Sequence, residues 1–127
     1  IIIESAYNYA KSLYKLSEDL PYYKEKLTAI IIRKNLKDIF YPKDAEVFCE
    51  KEVIDINGNS KRIDRLIVKS DQVWVVDYKS SANDKNQDHS QVVSYIKIIT
   101  NIYPKAKVRG FLLYLNDLSL EEAGLKS

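Results

Sequence analysis

The sequence predicts an α/β (α+β) domain in which a mixed β-sheet of order βββαβ is flanked by helices and preceded by two more helices. Three observations carry that expectation. Apolar residues recur at helical spacing as far as Ile39, and from Ala45 the period drops to two. Three strand-like runs then follow one another across short turn signals. A single amphipathic helix separates the third run from a fourth.

In order, Ser5–Leu16 carries Ala6, Tyr9, Ala10 and Leu13 on one helical face, with Lys11 and Lys15 outside. Leu20-Pro21 breaks this helix, and Pro21 suits the first turn of a second one reaching about Ile39, with Leu27, Ile30, Ile31, Leu36 and Ile39 inward. Its basic residues Lys24, Lys26, Arg33, Lys34 and Lys37 read as a solvated face, and Tyr41-Pro42 ends it. Glu46–Ile54 reads as a strand, Asn57-Gly58-Asn59 as a hairpin turn and Lys61–Val68 as the returning strand. After the Ser70-Asp71 turn, Val73–Lys79 is the third strand of a meander. Residues 80–88 are polar and turn-prone, hence a loop. A helix from Asp88 to about Tyr103 shows Val92, Val93, Ile96, Ile99 and Ile102 as one stripe, with Asp88 and Gln91 as a capping box. Pro104 stops it, and Val108–Leu115 is the last strand, expected to lie parallel to the third through a right-handed crossover. Asn116–Ser127 reads as a short helix or the start of a linker.

Composition bounds the function classes. The chain has 127 residues, 46% of them hydrophobic and 30% charged, which suits one domain over 1–127 with a core burying roughly two thirds of its unfolded surface. No run approaches the roughly eighteen apolar residues of a membrane span, and Ile1–Ile3 is too short for a secretory signal, so a cytoplasmic domain without a membrane partner is expected. The single cysteine, Cys49, excludes an internal disulfide, an all-cysteine zinc site and a four-thiolate iron–sulfur cluster. It has opposite parity to Glu50 and reads as a packed residue. Any metal therefore sits mainly on oxygen. The net charge of +2 neither demands nor forbids nucleic acid. The lack of methionine, even at position 1, suggests a fragment of a larger protein.

The stretch WVVDYKSS, residues 74–81, begins as a buried strand and ends on Asp77 and Lys79, which share a face. Asp64 on the second strand and Glu50 on the first have the parity to meet them, with Glu52 an equal alternative to Glu50. Trp74 and Tyr78 point the other way and read as core against a helix, and His89 as a surface residue. Clustered carboxylates are costly to bury without a cation. Two or three of them, a carbonyl and waters are what Mg²⁺ prefers, and a lysine beside them suits phosphodiester hydrolysis.

KRIDRLIV (61–68), VWVVDYKSS (73–81), QVVSY (91–95) and VRGFLLYL (108–115) fall in the motif order of the PD-(D/E)XK nuclease superfamily. They most resemble the RecB-like or AddA-like nuclease domain at the C-terminus of bacterial recombination helicases, over residues 46–115. The resemblance implies a restriction-endonuclease-like core behind a helical part at 1–41. It also implies a Mg²⁺-dependent deoxyribonuclease, with Mn²⁺ able to substitute, acting as an exonuclease in double-strand break repair and recombination. Carried over, Asp64 and Asp77 are metal-binding acids, Lys79 the catalytic lysine, the Tyr78 carbonyl a further ligand, Glu50 an assisting acid, and Gln91 with Tyr95 a substrate-side or site-supporting pair. Gln91 has its capping role as the competing reading and Tyr95 core packing. The implied partners are single-stranded DNA delivered by a helicase and the remaining domains or subunits of that complex. The family's histidine on an upstream helix has no counterpart, the sole histidine being His89, and Lys61 stands where glycine is common. The alternatives are a catalytically inactive nuclease fold for DNA binding or protein docking, and a stand-alone phage or restriction-like exonuclease.

Overall fold

The computed structural model describes residues 36–124. The chain divides into two compact units, Ile1–Lys43 and Asp44–Ser127. The helix expected at Ser5–Leu16 and most of the second lie outside the described residues. Of the first unit, α1 (Lys37–Phe40) is described, and Leu36 and Ile39 are buried as their spacing predicts.

The second unit is a five-stranded sheet with one long helix. Its elements are β1 (Glu46–Ile54), β2 (Ser60–Val68), β3 (Gln72–Lys79), α2 (Lys85–Ile102), β4 (Lys107–Tyr114) and β5 (Ser119–Ala123), and the strands lie in sequence order. The expected meander is present, β1 pairing antiparallel with β2 and β2 with β3. β3 and β4, joined through α2, are parallel, as a helical crossover requires. In the β1–β2 turn, Oδ1 of Asp55 accepts the backbone N–H groups of Asn57 and Asn59, and Gly58 supplies a φ of +82° that side chains resist.

Two expectations need correction. The tail is β5, an edge strand antiparallel to β4 after a turn over residues 115–118, rather than a helix or linker. Its Glu-Glu pair is compatible with a helix, yet it has cross-strand and helix-borne cations to meet: Glu122 takes two hydrogen bonds from Arg109, and Glu121 an ion pair from Lys85. The long helix also begins a turn early. Its cap is Asp84, whose carboxylate accepts the Gln87 N–H at 3.1 Å, so the polar stretch expected to be loop supplies the first helical turn.

The core lies between α2 and one face of the sheet. Val53, Ile63, Leu66, Val73 and Val75 pack with Tyr95 and Ile99, and Val92 packs with Leu112, Tyr114 and Ala123. Each fully buried Val, Leu or Ile contributes about 1.5–3 kcal/mol from its removal from water. Gly110 allows the close approach of helix to sheet, since a methyl there would come within 2.5 Å of Val92 and 2.7 Å of Ile96. α2 covers the face of Val73, Val75 and Asp77, so Trp74 is not packed beneath it. Trp74 instead stacks at a tilt on Phe111, with the Lys69 ammonium 3.6 Å above its ring. Among the described residues, no helix is long and apolar enough to cross a membrane.

Candidate functional site

The site forms where two ladders part. β2 and β3 pair as far as Arg65 and Val76, so the next residues in register are Asp64 and Asp77. β3 continues on its other side, pairing with β4 through Lys79 and Tyr114. In the gap, Oδ2 of Asp64 accepts the Tyr78 N–H at 2.8 Å, replacing the missing strand partner. A strand residue points its N–H and C=O toward the same neighbour. The Tyr78 carbonyl is therefore directed to the side from which Asp64 approaches.

Asp77 is almost wholly buried, its side chain 7% exposed, and Nζ of Lys79 lies 3.2 Å from its Oδ2 as an ion pair outside hydrogen-bond alignment. Among the described residues that Oδ2 has no aligned hydrogen bond, its partner being the Lys79 ammonium. Burial first, then the charge of Asp64 and hydrogen bonding between the two carboxyls, push the pKa of Asp77 up to about 7 against the opposing pull of Lys79. Lys79 donates a 2.7 Å hydrogen bond to Oε1 of Gln91, and Nε2 of Gln91 donates to the Tyr95 hydroxyl at 2.9 Å. Burial, reinforced by the charge of Asp77, raises the Tyr95 pKa, so its hydroxyl stays neutral. Tyr95 is 5% exposed within the core, as the packing reading expects, and its hydroxyl accepts from the Gln91 amide.

The structure thus brings together Asp64, Asp77, Lys79, Gln91, Tyr95 and the Tyr78 backbone. Gln91 is released from capping because Asp84 and Gln87 perform it. The sequence Asp84-Lys-Asn-Gln87-Asp88-His-Ser-Gln91 offers two successive capping frames, and the helix uses the first.

Glu50 does not join the site. Its flanking pairs, Cys49 with Arg65 and Lys51 with Ile63, leave it opposite Asp64, but it is exposed and has a φ of +54°. That left-handed residue turns the strand over, so Phe48 and Val53, of opposite parity, pack into one cluster. Parity counted through Glu50 therefore misplaces both it and Glu52. Among the described residues, no three His, Cys, Asp or Glu side chains form a metal-binding group. Cys49 is exposed instead of packed, its sulfur 3.5 Å from Nη1 of Arg65. His89, half-buried, lies 3.5 Å from Glu121.

Sequence reasoning missed Tyr114, whose hydroxyl donates to Oδ2 of Asp88 at 3.1 Å. The signal was its position as the last inward residue of the strand parallel to the Asp77–Lys79 strand.

No protein-family model and no curated protein matches the chain. Two carboxylates and a backbone carbonyl give this strand end an all-oxygen donor set, the kind Mg²⁺ favours when waters complete its shell, with the Lys79 ammonium 3.2 Å from the buried Asp77 Oδ2.

Proposed function

We propose that this chain is a Mg²⁺-dependent deoxyribonuclease of the PD-(D/E)XK type, resembling the RecB/AddA nuclease domain and acting on single-stranded DNA. The observation that carries the reading is the meeting of Asp64, Asp77 and Lys79 at one strand end, the buried Asp77 carboxylate crowded by a second carboxylate with the Lys79 ammonium 3.2 Å away. Asp64, Asp77 and the Tyr78 carbonyl would hold the ion. Bound there, it supplies charge neutralisation at the phosphate and a lowered pKa for a bound water.

The chain's own residues do the rest. Lys79, held by Gln91, presents a fixed positive charge beside Asp77 that orients the attacking water and offsets charge growing on the phosphate oxygens. The oxygen of that water forms the new bond to phosphorus as the bond to the leaving sugar oxygen breaks, the water's proton passing to solvent and the leaving oxygen taking a proton from solvent. Asp77, its pKa raised to about 7, would hold a cation as the carboxylate, so binding there would release its proton. A role in break repair, with DNA delivered by a helicase, belongs to the same proposal and rests on the motif resemblance.

A second reading has its own support. Among the described residues only two acidic side chains meet here, and Glu50 stands away, which suits a nuclease fold kept for DNA binding or docking. The two separate in a cleavage assay on labelled single-stranded DNA with Mg²⁺ or Mn²⁺, comparing wild type, Asp64→Asn and Lys79→Ala. The nuclease reading expects cleavage in the wild type alone, abolished by chelation. DNA binding without cleavage at any divalent concentration points to the binding module.

A further inference from the structure

Tyr114 stands beside Lys79 in the parallel register of β4 on β3 and is 1% exposed. Its hydroxyl reaches Asp88 in the first turn of α2. Asp88 lies one helical turn before Gln91, which accepts Nζ of Lys79. A closed circuit results: Lys79 to Tyr114 across neighbouring strands, Tyr114 to Asp88 from sheet to helix, Asp88 to Gln91 along the helix, and Gln91 back to Lys79. Asp88 has no capping duty, since Asp84 performs it. The strand ends are themselves tied, the Leu115 N–H donating to the Lys79 carbonyl at 2.8 Å and the Asn116 N–H to that of Ser80 at 3.1 Å.

We propose that Tyr114 and Asp88 form a positioning pair for Lys79. Their hydrogen bond fixes the first turns of α2 against the β3–β4 pair, and so fixes the Gln91 oxygen that holds the lysine nitrogen over Asp77. A lysine has four rotatable side-chain bonds, so its charge has a defined place only while its acceptor does. The inference rests on the nuclease reading for its consequence in cleavage, though not for its geometry.

The test uses the full chain carrying ¹³C-labelled lysine. The Lys79 Cε–Hε NMR signal, identified by its loss in Lys79→Arg, reports the position of the amine whether or not DNA is cut. Tyr114→Phe keeps the ring and removes the hydroxyl, Asp88→Ala removes the acceptor, and Asp88→Asn retains an oxygen for it. In Tyr114→Phe and Asp88→Ala the Lys79 signal should move, and kcat for single-stranded DNA should fall about tenfold with KM changed less than about twofold. The double variant should lose no more than either single one, and Asp88→Asn should recover most of the loss. Glu122→Gln, which breaks a hydrogen-bonded ion pair at the sheet edge, should leave the signal in place. A Lys79 signal unmoved in both Tyr114→Phe and Asp88→Ala overturns the proposal, even if both variants melt earlier. Should the wild type cut no DNA, the nuclease reading fails separately, and the NMR signal still decides the positioning.

Discussion

Two pairs of acidic residues on one sheet are treated in opposite ways. At the β5 edge, Glu122 receives Nε and Nη2 of Arg109 at 2.9 and 2.6 Å, and Glu121 faces Lys85 at 2.8 Å. Hydrogen bonds from these cations hold both carboxyls below their ordinary range. Where β2 and β3 part, Asp77 is buried beside Asp64 with one lysine, which is itself engaged by Gln91, and its pKa is raised instead. Folding stabilises the ionised edge acids and opposes ionisation of the interior one. A sheet gains nothing from the second arrangement, since apolar replacements of buried charges are often neutral or stabilising. The interior pair is therefore the one on which the proposed cation site rests.

The largest expected effect breaks the interior pair. Asp77→Asn should lower Mg²⁺-dependent cleavage by at least about 10²-fold, whereas Glu122→Gln should leave it near wild type, measured as kcat on single-stranded DNA. Equal losses would remove the functional contrast between the two pairs.

Next in size is the pH dependence of stability without divalent ions, which should have opposite signs in the two places. For Asp77, the raised pKa means stability is full below its unfolded value near 4 and is lost as pH rises through about 7, amounting to roughly 4 kcal/mol at most. For Glu121 and Glu122, with depressed pKa values, the contribution is present above their unfolded value of 4.5 and is lost as pH falls through the folded one. Urea unfolding from pH 4 to pH 8 should show the Asp77 loss in the wild type and not in Asp77→Asn. A wild-type curve parallel to that of the variant would mean that Asp77 is not strained by its surroundings.

The smallest effect sharpens the contrast from the other side. Glu122→Gln should cost about 0.5–1 kcal/mol, because the Arg109 pair is bidentate yet partly exposed, and added salt should shrink the difference.

Much of this was legible in the sequence. The run from Val73 to Val76 is apolar without alternation, the mark of a central strand buried on both faces, and Asp77 followed by Lys79 was visible as its anomaly. The parallel β3–β4 pair followed from the helix between them. What the sequence hid were features in which one residue departs from the periodic pattern or in which two readings share the same letters. The left-handed Glu50 inverted parity along β1 and removed a carboxylate from the expected cluster. Two capping frames follow one another between Asp84 and Gln91, and the helix uses the first, which frees Asp88 to accept from Tyr114. A cross-strand arginine and a helix-borne lysine, invisible along the chain, meet the Glu121–Glu122 pair of the tail strand.

The cation site proposed at Asp64 and Asp77 can be probed by Mg²⁺ titration calorimetry on wild type and Asp77→Ala. Measured at about pH 6 and about pH 8, wild-type binding should be weaker at the lower pH, where the ion must displace the Asp77 proton, and Asp77→Ala should bind none. A wild type that takes up no Mg²⁺ at millimolar concentration, or a variant that binds as the wild type does, would contradict the account.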